Sequence, residues 1–338
     1  MPSENTSSKE TKYYARILLE SGKFGSNKAY RKALSLLRND LNIVETNLSK
    51  KCYDKIDYSK LPSYAALKYR KAFNRNDEER YNNYLKDLKT GKTKINASAL
   101  YPYDIVRSYM SGPVNWYNDE IQLKAEDPTL EEQWKALPDY VPEISGIPVC
   151  DTSGSMDGLP MEVSLSLGIY IAERNKSEVW KNYVIPFSSK ARWIQLTGNS
   201  LLEKLRQVDT GDCSNTNLQA VFDLILNRAI ANKVPEGDMP KTLLIISDME
   251  FDWSGNDTTN FEVIRAKYNE AGYKLPTLVW WNVDSRNNQV PVTIQDNGNV
   301  LLSGCSPVCL KIALGGKADI ISVISSIVNQ ERYLAIKY

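Results

Sequence analysis

Two runs of four apolar residues, Leu243-Leu244-Ile245-Ile246 and Leu278-Val279-Trp280-Trp281, constrain this chain more than any other feature. Successive side chains of a strand point to opposite faces, so a strand without a polar position has to be covered on both. Sheets covered on both faces are typically parallel and need crossover helices, which the flanking sequence supplies. From residue 144 onward, strand-like and helical runs alternate over 147–150, 161–173, 183–187, 191–196, 218–231, 242–247, 261–271, 277–281, 300–302 and 320–328. This pattern predicts an α/β domain, doubly wound around a mostly parallel sheet, with ligands expected at the carboxyl ends of the strands.

The front of the chain follows a different period. Apolar residues recur at helical spacing in Tyr30, Ala33, Leu34 and Leu37, again in Tyr81, Tyr84, Leu85 and Leu88, and in Ile105, Val106, Tyr109 and Met110 after Pro102. Asn76-Asp77-Glu78-Glu79 is expected to cap one of these helices, with Glu79 reaching back and Gly91 as the stop. Residues 111–143 are punctuated by Gly112-Pro113, Asp127-Pro128, Leu137-Pro138 and Val141-Pro142. The expected organisation is therefore an all-α region over 1–110, a linker with a helical piece over 111–143, and the α/β domain over 144–338.

Charge divides along the same line. Residues 1–111 hold 22 Lys and Arg against 12 Asp and Glu, whereas the remainder holds 20 against 29. A basic front half can signal contact with nucleic acid, and tyrosines beside basic residues are what stacking on unpaired bases would use. The alternatives are solvated helix faces and tyrosines buried in a helical core.

At 338 residues, with 42% hydrophobic and 25% charged residues, the chain can support two cores. It has no apolar run near the roughly 20 residues a membrane helix needs. Its first twelve residues are polar and Ser-rich, without the apolar stretch of a secretory signal. Five scattered cysteines do not form a disulfide framework. A cytoplasmic location is the expectation, or a virion if the source is viral.

The chain has no histidine. That excludes Ser-His-Asp and Cys-His catalysis and removes the commonest zinc ligand. Cys305-x-x-x-Cys309 lacks further soft ligands nearby and is expected to be structural. Any bound metal would be held by oxygen.

Such oxygens occur where the doubly wound pattern expects a ligand. The apolar strand ending at Cys150 runs into Asp151-Thr152-Ser153-Gly154-Ser155, which offers a carboxylate and two hydroxyls on alternate residues. Asp248 follows the Leu243 to Ile246 run just as Asp151 follows its own strand. Thr216 lies in the polar Cys213-Ser214-Asn215-Thr216-Asn217 loop before a helix. Two carboxylates across one crevice repel each other, and a divalent ion neutralises them.

Asp-x-Ser-x-Ser, then a loop Thr, then a post-strand Asp resembles the von Willebrand factor A domain and its metal-ion-dependent adhesion site. The resemblance covers about residues 144–338. It implies a Rossmann-like doubly wound fold and a metal shell of Asp151, Ser153, Ser155, Thr216 and Asp248. It also implies Mg²⁺ as the usual ion, with Mn²⁺ or Ca²⁺ as alternatives, and one position left for a partner's oxygen. Asn217 stands where many members have Asp.

A second resemblance extends over the whole chain. Lys92-Thr93-Lys94-Ile95-Asn96, Leu100-Tyr101-Pro102-Tyr103-Asp104-Ile105-Val106, Ser247-Asp248-Met249-Glu250-Phe251-Asp252 and Trp280-Trp281-Asn282-Val283 are similar to an uncharacterised family of plants, bacteria and large viruses. That family couples a helical region to an A domain and is distantly related to the TROVE/Ro proteins, whose helical repeats bind RNA. Members often carry His where Tyr103 stands.

An enzyme is not expected. Phosphotransferases with an Asp nucleophile place a second acid two residues on, where this chain has Ser153, and no Gly-x-x-x-x-Gly-Lys-Ser/Thr run occurs. Gly315-Gly316-Lys317 is expected to be a turn before the last helix. No catalytic residue is assigned. The expected function is binding: a divalent cation presented to the carboxylate of a protein partner. The alternatives are an RNA scaffold built on the basic helices, and a structural or virion component that forms a homo-oligomer.

Overall fold

The computed structural model describes residues 9–21, 26–112, 121–140, 144–187, 191–208, 218–248, 261–284 and 299–305, with residues 309, 325, 328 and 329. The expected helix over 320–328, most of its residues, and the Gly315-Gly316-Lys317 turn lie outside the described residues. The chain forms two compact units, Met1–Asn96 and Ala97–Tyr338.

The first unit is helical: α1 Lys9–Glu20, α2 Asn27–Asp40, α3 Val44–Ser49, α4 Ser63–Asn76 and α5 Glu78–Lys89. Ser26 caps α2 by accepting the Ala29 amide at 3.2 Å. Val44, Ile56, Leu61, Phe73, Tyr81, Leu85 and Leu88 close a core around Tyr58. The Tyr58 ring stands edge-on to Phe73 at 5.1 Å and to Tyr81 at 5.0 Å. Tyr30 and Tyr81 are thus core side chains, and Tyr84 packs partly buried against the same cluster.

The start of α5 differs from the expected cap. Asn76 ends α4, where its side-chain amide donates to the Ala72 carbonyl at 2.8 Å, and the cap residue is Asp77. The Asp77 carboxylate caps no backbone amide of its own helix. It accepts instead from the Tyr58 hydroxyl and from Arg80, each at 2.7 Å, because the tertiary fold brings Tyr58 to it across 19 residues. Gly91 ends the helix in the left-handed region, φ +72°, as expected of a glycine stop.

The second unit is built on a six-stranded sheet. Its strands are β1 Gly146–Cys150, β2 Tyr183–Pro186, β3 Ile194–Gln195, β4 Thr242–Ser247, β5 Thr277–Asn282 and β6 Asn299–Ser303. Their order is β3-β2-β1-β4-β5-β6, parallel throughout except for the short antiparallel edge strand β3. All six residues of β4 and all five of β1 are buried, as the apolar run Leu243 to Ile246 and the apolar residues of β1 require.

The unit's helices include α6 Pro102–Tyr109, α7 Pro128–Lys135, α8 Leu159–Arg174, α9 Leu201–Leu205, α10 Leu218–Ala231 and α11 Phe261–Glu270. On one face, α10 and α11 pack through Val221, Phe222, Ile225, Ile264 and Tyr268 onto Ile147, Val149, Leu243 and Ile245. On the other lies α8, whose residues from Met161 to Ala172 are all buried. A helix buried all round needs a cover on its outer side as well. That cover is α6, which packs along α8.

The unit boundary therefore falls at 96/97 and not near 110, since α6 belongs with the sheet. Of the stretch expected as a linker, residues 121–140 are also built into this unit. Helix α7 buries Leu130 and Trp134, and the Glu131 carboxylate, 6% exposed, accepts from the Tyr109 hydroxyl at 2.5 Å and the Leu201 amide at 2.7 Å. The acidic composition of this stretch thus serves partly to satisfy the buried first-turn amides of α9. Among the described residues no helix is long and apolar enough to cross a membrane.

Candidate functional site

The strand order locates the site before any side chain is considered. From β1 the chain passes through α8 to β2 on one side of β1, and later enters β4 on the other. Where consecutive crossovers leave in opposite directions, a crevice opens at the carboxyl ends of the two strands. Here those ends carry Asp151 and Asp248.

Each residue of the Asp-x-Ser-x-Ser turn has a local reason for its position. The Asp151 amide continues the β1–β4 ladder by donating to the Ile246 carbonyl at 3.0 Å. Oδ1 of Asp151 accepts the Ser153 amide at 2.9 Å, a two-residue turn that an Asp side chain forms readily. The Ser153 and Ser155 hydroxyl oxygens lie 3.1 Å apart. Met156 is buried and anchors the far end of the turn, with its amide donating to the Ser153 carbonyl at 3.0 Å. Gly158 then adopts φ +89° and ψ −133°, a conformation open essentially to glycine alone, and leads into α8.

Electrostatics single out the same group. Asp151 and Asp248 are each 3% exposed. Burial raises the Asp151 carboxyl pKa above its ordinary value, hydrogen bonds from Ser247 and Ser153 pull it back, and the Asp248 charge pushes it further up. The neighbouring Cys150 thiol is pushed up to about 12, by burial first and by Asp151 second.

Asp151 and Asp248 therefore lie at the two strand ends of the switch point, with Ser153 and Ser155 on the turn that follows Asp151, whereas Thr216 lies outside the described residues. The donors are oxygen only, with two acids and two hydroxyls, a set suited to a hard divalent cation. Among the described residues no group of three or more His, Cys, Asp and Glu forms a metal cluster. An ion here would accordingly depend on hydroxyl and water ligands beside the two acids.

Ser247 was not expected at the site. The β1–β4 register ends at Cys150 opposite Ile246, so the next pair is Asp151 and Ser247, and the Ser247 hydroxyl donates to Asp151 Oδ2 at 2.5 Å. The only signal in the sequence was its place immediately before Asp248. A second unexpected contact lies on the first turn of α8, where Arg107 of α6 meets Glu162 at 2.6 Å and stacks over Tyr103. Cys305 and Cys309, expected to be structural, are half-buried free thiols; Cys305 sits beside Asp284 at the ends of β6 and β5.

Comparison with known proteins adds the following. A family model described as Domain of unknown function (DUF7788) matches residues 145–332, and a second, Domain of unknown function (DUF2828), matches residues 5–145. The uncharacterised protein L728 of Acanthamoeba polyphaga mimivirus is 38% identical over 310 residues. That alignment takes in 85% of this chain and 52% of L728, so the chain spans about half the length of the curated relative it matches. The crystal structure of the Ro (RSR) protein of Deinococcus radiodurans aligns with a TM-score of 0.42 at 14% identity, over 68% of this chain and 45% of that one.

Proposed function

We propose, for a chain that belongs to the family described as Domain of unknown function DUF7788, that the crevice between β1 and β4 holds a divalent cation and presents it to a carboxylate of a protein partner. The observation that carries this reading is the held Asp151 carboxylate, buried beside a second buried acid at the topological switch point. Two like charges in so little solvent destabilise each other, and a divalent cation would turn that repulsion into coordination.

In this reading the domain works as a von Willebrand factor A-like module and is not an enzyme. Asp151, Ser153, Ser155, Thr216 and Asp248 would hold the ion, Mg²⁺ in the first instance with Mn²⁺ or Ca²⁺ as alternatives. When bound, the ion supplies a Lewis-acidic position open to one external oxygen. The protein's own part is to orient Asp151, keep bulk water from the acids and fix the Ser153–Ser155 hydroxyl pair.

The test is calorimetric titration of the full chain with Mg²⁺ and Mn²⁺, paired with capture of partners from native lysate with and without chelator. Saturable binding that Asp151→Ala abolishes, with circular dichroism unchanged, is the expected result. Capture of a protein partner should fail in the same variant. A folded chain that takes up no divalent cation would overturn the reading. The basic Met1–Asn96 unit favours a second reading, an RNA scaffold. Its signature is co-purifying nucleic acid whose binding survives chelation and weakens steeply with salt.

A further inference from the structure

We infer that Ser247 is a positioning residue which fixes how Asp151 offers its carboxylate, and thereby makes the crevice prefer Mg²⁺ and Mn²⁺ to Ca²⁺. This rests on the reading that the crevice holds a cation, and goes beyond it by assigning the choice of ion to one side chain.

Ser247 is fully buried as the last residue of β4, and its hydroxyl donates to Asp151 Oδ2 at 2.5 Å. The other oxygen, Oδ1, accepts the Ser153 amide at 2.9 Å. One bond comes from the neighbouring strand and one from the turn, so the carboxylate plane is held from two separate elements. At 3% exposure there is little water to compete for either bond.

A carboxylate oxygen has two acceptor directions, and each oxygen of Asp151 already has one in use. Ca²⁺ gathers about 6–8 oxygens at about 2.3–2.6 Å and often grips a carboxylate through both of its oxygens. Mg²⁺ asks for about 2.0–2.1 Å in near-octahedral array. Pinned at both oxygens, the carboxylate keeps one acceptor direction on each but cannot swing to centre both of them on one ion. It suits the small octahedral ion and resists the pivot that a two-oxygen grip requires. Removing the Ser247 hydroxyl frees Oδ2 and lets the group turn.

The experiment is calorimetric titration of the full chain with MgCl₂, MnCl₂ and CaCl₂, repeated for Ser247→Ala and Ser247→Thr, with Mn²⁺ electron paramagnetic resonance as an independent readout. The intact chain is expected to bind Mn²⁺ and Mg²⁺ more tightly than Ca²⁺. In Ser247→Ala, Mn²⁺ and Mg²⁺ affinity should fall about 10- to 100-fold, as for loss of a group that orients a metal ligand. Ca²⁺ affinity should fall less, so the preference shrinks. Ser247→Thr keeps the donor and should keep the preference. Should Ser247→Ala not fold by circular dichroism, Ser247→Cys, with its weaker donor, carries the same comparison. An unchanged preference in the alanine or cysteine variant, or an intact chain that prefers Ca²⁺, overturns the inference while leaving the cation site standing. No divalent binding by the intact chain overturns both.

Discussion

Asp151 is a costly side chain in isolation: burial and the Asp248 charge both disfavour its ionised form, and only Ser247 and Ser153 oppose them. The sequence made this group legible because a carboxylate and two hydroxyls fall within five residues at a strand end, so their convergence is a local matter. Ser247 could not be assigned the same way, because its contact with Asp151 spans 96 residues and depends on which strand lies beside β1. Asp77 gives the same lesson in reverse, since a residue with the sequence signature of a helix cap is claimed by Tyr58. Chemical labelling probes this burial residue by residue. With its thiol at about 12, Cys150 carries roughly one thiolate in ten thousand at pH 8. Native protein treated with iodoacetamide at that pH should label Cys52, Cys305 and Cys309 and leave Cys150 unmodified until denaturant is added, as peptide mass spectrometry can read.

At the scale of elements, α8 sits between the sheet and α6, and two contacts fix it there. Gly168 faces β1 so closely that a Cβ at this position would lie 2.2 Å from Cys150 Sγ. Gly168→Ala should therefore destabilise the chain by about 1–3 kcal/mol despite alanine's better helix propensity. Cys150→Ala should recover part of that loss in the double variant, which urea unfolding would show as non-additivity. On the outer side, Arg107 joins α6 to Glu162. Burial raises the Glu162 pKa while Arg107 lowers it, burial being the larger effect. A carboxyl whose folded pKa is raised contributes stability that is present below its unfolded value and lost as pH rises through the folded one. Without Arg107 that loss deepens. Arg107→Ala should thus cost little near pH 4 and about 1 kcal/mol at pH 8, the half-exposed guanidinium being screened by solvent, whereas Glu162→Gln, which removes the buried charge, should cost less at pH 8. Unfolding curves at the two pH values check both. Periodicity predicted the helix of α6 from the sequence, but which surface its apolar face covers is set by α8, more than 50 residues later.

For the molecule as a whole, the division at 96/97 has a direct consequence. A fragment spanning 97–338 keeps the α6 cover and should fold cooperatively, while one spanning 111–338 bares the apolar outer side of α8 and should aggregate or melt without a sharp transition. Circular dichroism and size-exclusion chromatography of the two fragments distinguish these outcomes. The sequence by itself determined the class of fold and the chemistry on offer. Apolar runs without polar breaks require a sheet covered on both faces, and oxygen donors at strand ends suit a hard cation. These are properties of residue type and short-range period, which a linear chain carries openly. Only the tertiary structure decided that β1 and β4 are neighbours, that Ser247 therefore grips Asp151, and that α6 and α7 belong to the sheet. Those outcomes turn on strand order and on which apolar surface meets which, and such pairings are settled by long-range packing that no local pattern encodes.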